Sequence, residues 1–355
     1  KFGELHRGGW DPTARLAEQD TDGVAAEIIY PTVGMVLCNI DDFDLKKASF
    51  DAYNRWIAEY CSHAPHRLLG CGQTAMRSPQ EGIEDLKAIK QLGLRGVMMP
   101  GQPAVEDYDS PVYDEFWATA IELDLPLSFH ILTTKNERTR GPKISSFLSI
   151  VRGCQDIMAM LVFGGVFERH PDLKVVCVEA DAGWVPHFMY RMDHAFNRHR
   201  FWLKPGAELR RLPSEYFADH IYVTFQDDWT AFKFADSMNW RRLMWANDFP
   251  HSDSTWPWSQ ELLDKHTASM TDEQLAGLRA TAAAGRARLQ RPSPPPSGFR
   301  PCSCGPRRGS CTPRSCAPAS PGRTCRSSPT AAASPRSCST SAPRTICSPG
   351  TSTWR

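Results

Sequence analysis

The stretch Leu243–Pro257 reads LMWANDFPHSDSTWP. A short apolar run ends abruptly at Asn247-Asp248, and His251 follows three residues on. A carboxylate at the end of a buried strand is costly unless it binds something. Pro126–His130, PLSFH, has the same form, with a histidine closing an apolar run. Read together, the two segments predict a site assembled on strand ends.

Working outward, seven strand-like runs alternate with helix-like ones. The predicted strands are Val24–Pro31, Arg67–Ala75, Leu94–Pro100, Pro126–Ile131, Leu173–Ala180, His220–Phe225 and Leu243–Ala246. Helices are predicted near Thr13–Gln19 and across Ala48–Ser62, Pro79–Leu92, Val112–Leu123, Ile144–Glu168, Val185–Arg198, Thr230–Ser237, Trp258–His266 and Asp272–Ala280. Near-continuous apolar strands separated by helices imply a parallel sheet covered on both faces. Seven such units in one domain favour an α/β (β/α)8 TIM barrel over an open sheet. In that barrel, strand C-termini form the active face. Residues 1–290 leave no room for an eighth strand, and FGELHRGGWDP after Lys1 is loop-like. The expectation is therefore a barrel recorded without its first strand.

The chain has 355 residues and a formal charge of +1, a mean that hides two unlike parts. Residues 291–355 hold 13 Pro, 14 Ser, 10 Arg and 7 Cys, with no Lys, Asp or Glu. Residues 1–290 therefore carry 31 basic and 40 acidic side chains, a net charge of −9. The body is mildly acidic and offers no basic stripe for nucleic acid. It has no run of about 20 apolar residues, so no membrane span is expected. Its five scattered cysteines, Cys38, Cys61, Cys71, Cys154 and Cys177, read as buried free thiols in a reducing cytoplasm. The tail, 291–355, lacks apolar periodicity and reads as disordered. Cys302-x-Cys304 is too little for a zinc motif. Such a composition is what a GC-rich gene yields out of frame, with the frame lost between about Ala280 and Arg291. The other reading is a basic disordered tail for an acidic partner.

His130 and Asp248 are the candidate metal ligands, because neutral imidazole and carboxylate oxygen suit a hydrolytic zinc or manganese ion. Glu179 and Asp181 close the Leu173–Ala180 strand; alternating positions on an extended chain point the same way. Glu179 is the candidate acid-base residue, and His251 a catalytic assistant at the rim. Trp256 and Trp258 fit either a pocket wall or the barrel rim. His187, His194 and His199 read as structural, and Asp41–Asp44 as a solvated loop. There is no phosphate-cradling glycine loop and no serine nucleophile elbow.

These motifs resemble the amidohydrolase-related family of metal-dependent TIM barrels, in the branch of aminocarboxymuconate semialdehyde and gamma-resorcylate decarboxylases. Its carriers are DGVAAEIIYPT at 22–32, AYNRWIAEYC at 52–61, HRLLGCGQTAM at 66–76, LGLRGVMMP at 92–100 and YDEFWATAIELDLPLSFH at 113–130. The most specific are GGVFERHPDLKVVCVEADAGW at 164–184 and MWANDFPHSDSTWP at 244–257. The resemblance implies that His130 and Asp248 are the ligands after the fifth and eighth barrel strands. It also implies a histidine pair or acidic-x-His motif on the first strand, and commonly a homodimer. The decarboxylases place a histidine where Glu179 stands, so hydrolysis and non-oxidative decarboxylation both stay open. The expected enzyme holds a divalent metal, zinc first and manganese second, and acts on a small carboxylated substrate. A barrel with a degenerate metal site, serving as a binding or scaffold protein, is the alternative.

Overall fold

Seven short apolar runs become strands because each is bounded by a helix stop or a proline on one side and a polar turn on the other. The computed structural model describes residues 5–135 and 141–283. The strands are β1 (Glu27–Ile29), β2 (Leu68–Gln73), β3 (Gly96–Met99), β4 (Leu127–His130), β5 (Val175–Val178), β6 (Ile221–Phe225) and β7 (Leu243–Trp245). All are parallel, and their order in space is their order in sequence. The register runs Glu27↔Leu68, Cys71↔Gly96, Val97↔Leu127, Leu127↔Val175, Val175↔Ile221 and Val223↔Leu243.

The sheet curls. Ile28 of β1 and Tyr30 just after it pack with Val176 and Val178 of β5, Tyr222 of β6 and Met244 of β7. Across the same interior the Tyr30 hydroxyl lies 2.9 Å from Ser128 Oγ on β4. First and last strands thus share one lumen, as in a TIM barrel short of one strand; no eighth strand occurs among the described residues. The opposite strand faces bury Val97, Met99, Leu127, Phe129, Val175 and Cys177 against the helices.

The helices are α1 (Pro12–Asp22), α2 (Thr32–Leu37), α3 (Phe43–Ser62), α4 (Pro79–Gln91), α5 (Asp114–Glu122), α6 (Arg152–Phe163), α7 (Val166–Arg169), α8 (Val185–His199), α9 (Pro213–His220), α10 (Trp229–Lys233), α11 (Ser259–Thr267) and α12 (Asp272–Ala283). Local chemistry sets their ends. In α4, Ser78 caps Glu81 N–H at 3.1 Å, Pro79 opens the first turn, and Ile83, Leu86 and Ile89 face the core. In α1, Asp11 accepts from Thr13 N–H at 2.9 Å, and Gly23 ends the helix at φ +70°.

Three helices depart from the sequence expectation. The Asp41–Asp44 run is a helix start: Asp42 Oδ1 accepts from the N–H groups of Asp44 and Leu45 at 3.0 Å each. The short α2 follows β1 directly and buries Gly34 and Met35. Helix α9 begins at Pro213, with Glu215 accepting from Leu212 N–H at 2.8 Å. The stretch Lys143–Phe163 is long and apolar enough to cross a membrane by length and composition. It is two pieces, a 3-10 segment over Lys143–Leu148 and α6, and α6 buries Cys154, Ile157, Met158, Leu161 and Val162. The five body cysteines are buried and free. The tail reading at 291–355 lies outside the described residues.

Candidate active site

The C-terminal ends of the strands open into a cavity of about 1130 Å³, and His130, Glu179, Asp181, Asp248 and His251 all line it. His130 closes β4 and is 4% exposed. Its Nδ1 lies 3.0 Å from the Ile131 carbonyl oxygen, a contact that requires an N–H on Nδ1. That leaves Nε2 as the bare nitrogen, and Nε2 faces Glu179 Oε2 at 2.9 Å. A lone pair opposite a carboxylate holds only with a proton or a metal ion between them. A histidine tied by one nitrogen to a backbone carbonyl, with the other facing a carboxylate, is the usual posture of a metal ligand.

Glu179 follows β5 with φ +58°, and Asp181 has φ +54°. The two carboxylates reach the cavity from a bent chain, so the extended alternation expected from sequence does not describe them. The Glu179 N–H donates to Thr224 Oγ1 of β6 at 2.7 Å, which holds the bend. Asp181 is pushed up to about 6, chiefly by burial and then by repulsion from Asp228. Asp228 itself accepts from the N–H groups of Ala182 and Gly183 at 2.9 and 2.6 Å, closing the turn.

Asp248 has φ +57°. Left-handed backbone at a residue with a side chain costs of order 1–3 kcal/mol. Three such residues, Glu179, Asp181 and Asp248, line this one cavity. Asp248 Oδ1 lies 3.2 Å from His251 Nδ1, and His251 Nε2 lies 3.2 Å from Thr32 Oγ1 at the start of α2. The hydrogen bond to Asp248 raises the His251 pKa above its usual value, against partial burial. One donor atom each from Glu179, Asp248 and His251 fall within 4.8 Å of one another. His130 stands outside that trio but touches it through Glu179.

The sequence matches the amidohydrolase family profile over residues 4–284. The chain belongs to the amidohydrolase family. Among curated amidohydrolase relatives, it is 27% identical to a 2-amino-3-carboxymuconate-6-semialdehyde decarboxylase of Dictyostelium discoideum over 202 residues, 55% of this chain and 55% of that one. It is 24% identical to the decarboxylase orsB of Emericella nidulans over 229 residues, 59% of this chain and 67% of that one. The chain thus spans about half the length of the first of these relatives. Solved structures share the fold. A 2,6-dihydroxybenzoate decarboxylase from Rhizobium superposes with TM-score 0.62 at 21% identity, covering 78% of this chain and 86% of that one. A 5-carboxyvanillate decarboxylase from Novosphingobium aromaticivorans, with bound manganese, gives 0.64 at 20% identity, covering 76% and 78%.

Within this amidohydrolase, two site features escaped the sequence reading. Thr32 meets His251 across 219 positions, and only tertiary structure brings them together. Among the described residues Arg15 is the one Lys or Arg that lines the cavity, and it is occupied. Its Nε and Nη2 donate to Glu27 at 2.5 and 2.8 Å, and its guanidinium lies 4.8 Å from the Phe249 ring centroid. Trp256 lines no part of the cavity wall; it packs on His6 and Phe249.

Proposed function

We propose that the chain is a metal-dependent carboxy-lyase acting on an aromatic monocarboxylate. The observation that carries it is the convergence of His130, Glu179, Asp248 and His251 in a cavity where Arg15, the one Lys or Arg among the described lining residues, is already paired with Glu27. Two carboxylates at close range, with the one Lys or Arg among the described lining residues already paired, call for a divalent ion. His130 Nε2, Glu179 and Asp248 would hold it, their two negative charges balancing its two positive ones. An oxygen-rich set of this kind favours Mn2+ over the Zn2+ expected from sequence. When bound, the ion would fix the substrate carboxylate and draw off negative charge as the bond to it breaks.

The chain's own groups supply the rest. Tyr30, Phe225, Trp245 and Phe249 line the cavity with aromatic surface suited to a flat ring. Arg15 cannot serve a second substrate carboxylate while bidentate to Glu27, and Asp181 and Asp253 on the same wall repel one. His251 gives Nδ1–H to Asp248 and carries a transferable proton at Nε2. Loss of CO2 breaks one carbon–carbon bond, and the proton from His251 forms the carbon–hydrogen bond that replaces it. The decarboxylase names of the relatives support a lyase over a hydrolase and over a binding barrel.

The test is product analysis with Mn2+ on 2,6-dihydroxybenzoate and on an acyclic dicarboxylate. CO2 release from the aromatic acid, without oxygen from water in the product and with the dicarboxylate at least tenfold poorer, is expected. Water oxygen in the product would make it a hydrolase.

A further inference from the structure

The β7 side of the site stands on a loop, and that loop is tied to a distant helix by one buried carboxylate. Asp22 ends α1 and is 1% exposed. Its Oδ2 accepts from Asn247 Nδ2 at 2.8 Å and from Ser259 Oγ at 2.6 Å, and its Oδ1 from Ser259 N–H at 3.1 Å. The Asp22 carbonyl oxygen accepts from Gln260 Nε2 at 3.0 Å. These partners are neutral donors. A carboxylate in the last turn of a helix opposes the helix dipole, so α1 itself gains nothing from Asp22.

Asn247 passes the constraint on. Its Oδ1 accepts from Phe249 N–H at 3.3 Å, and its carbonyl oxygen accepts from Thr255 N–H at 3.0 Å and Ser254 Oγ at 2.7 Å. Asp248, with its left-handed backbone, sits between the two residues so bridged. We propose that Asp22 is a positioning residue: by anchoring Asn247 it holds the turn that delivers the Asp248 carboxylate to the cavity. The role in metal binding rests on the functional reading above, while the clamp itself does not.

The experiment titrates the chain with Mn2+ by electron paramagnetic resonance, alongside Asp22→Ala, Asn247→Ala, their double variant and Ser259→Ala. Each of the first two raises Kd at least tenfold, and the double variant goes no further than the larger single, since one path is cut twice. Ser259→Ala breaks the same network away from Asp248; it lowers Tm and keeps Kd within twofold. Wild-type affinity in Asp22→Ala, multiplying losses in the double variant, or equal loss in Ser259→Ala overturns the proposal. A wild-type chain that binds no Mn2+ sinks the metal reading instead. The clamp is then judged on the metal-free chain with the isosteric Asp22→Asn, which also serves if the alanine variant fails to fold. Amide exchange over residues 246–256 should quicken at least tenfold while residues 125–131 stay unchanged; equal rates in the 246–256 peptide overturn it.

Discussion

The two halves of the site are held by different means. His130 and Glu179 stand on or directly after strands whose outer faces lie in the main core, and Thr224 of the neighbouring strand fixes the bend between them. Asp248 and His251 stand on a loop beyond β7, and that loop is moored to α1 through Asp22 and to α2 through Thr32. One half is positioned by packing and the other by hydrogen bonds reaching across the whole chain. Packing makes position and stability inseparable, whereas mooring lets position be lost while the fold survives.

The largest effects should come from testing that contrast directly. His130→Ala and Asp248→Gly should each lower kcat/KM by about a thousandfold, or about 4 kcal/mol. Their stabilities should part. His130→Ala opens space in a buried strand end and should cost about 2 kcal/mol, about 4–8 °C in Tm. Asp248→Gly relieves a left-handed backbone and should leave stability unchanged or raise it by about 1 kcal/mol. Thermal melts of both variants decide it, and equal destabilisation breaks the comparison.

A smaller effect sharpens the strand side. Thr224→Val keeps the shape but removes the acceptor of the Glu179 N–H, leaving a half-buried donor unpaired at about 1–3 kcal/mol. Activity should fall about tenfold to a hundredfold, chiefly in kcat, and Tm should fall with it. An unchanged rate would mean that Glu179 keeps its bend without help.

The smallest effect is a control placed away from the cavity. His220 is buried at the end of α9, just before β6, with Nδ1 3.0 Å from the Leu173 carbonyl oxygen and its ring stacked 4.6 Å from Phe167. Burial holds its pKa below the ordinary 6.5. The unfolded chain therefore takes up a proton near pH 6.5 that the folded chain refuses, and stability falls as pH drops below that value. His220→Phe should flatten this slope in urea melts between about pH 7 and 5, at a cost near neutrality of about 1 kcal/mol for the unpaired carbonyl. Asp181 and His251, both with raised pKa values, act in the opposite sense over this range, so the comparison is between variant and wild-type slopes; an unchanged slope in the variant assigns the acid sensitivity to other groups.

Much of this was legible in the sequence because it is local. Apolar runs interrupted by Gly, Pro and polar residues give all seven strands, and the run-ending residues His130 and Asp248 fall on the cavity that the strand ends form. What was not legible is of two kinds. Backbone hand at Glu179 and Asp181 depends on what fills the space beneath, and a strand pattern extrapolated past Val178 misses the turn. Partners such as Thr32 and Asp22 are ordinary residues in their own segments. Nothing within ten positions of Asp22 announces Asn247, which lies 225 residues away.

The strand order carries a consequence for how such a molecule is made. Each strand pairs with the one synthesised just before it, and the next is never more than 48 positions off, as in Leu127↔Val175. A growing chain can therefore add each strand to an edge that already exists, needing no distant partner. The cavity follows the opposite schedule. Its residues arrive at 130, 179 and 248, and the last waits for a moor set at position 22. Scaffold accrues steadily along the chain, but chemical competence comes all at once, when the segment around position 248 meets the helix that ends at position 22.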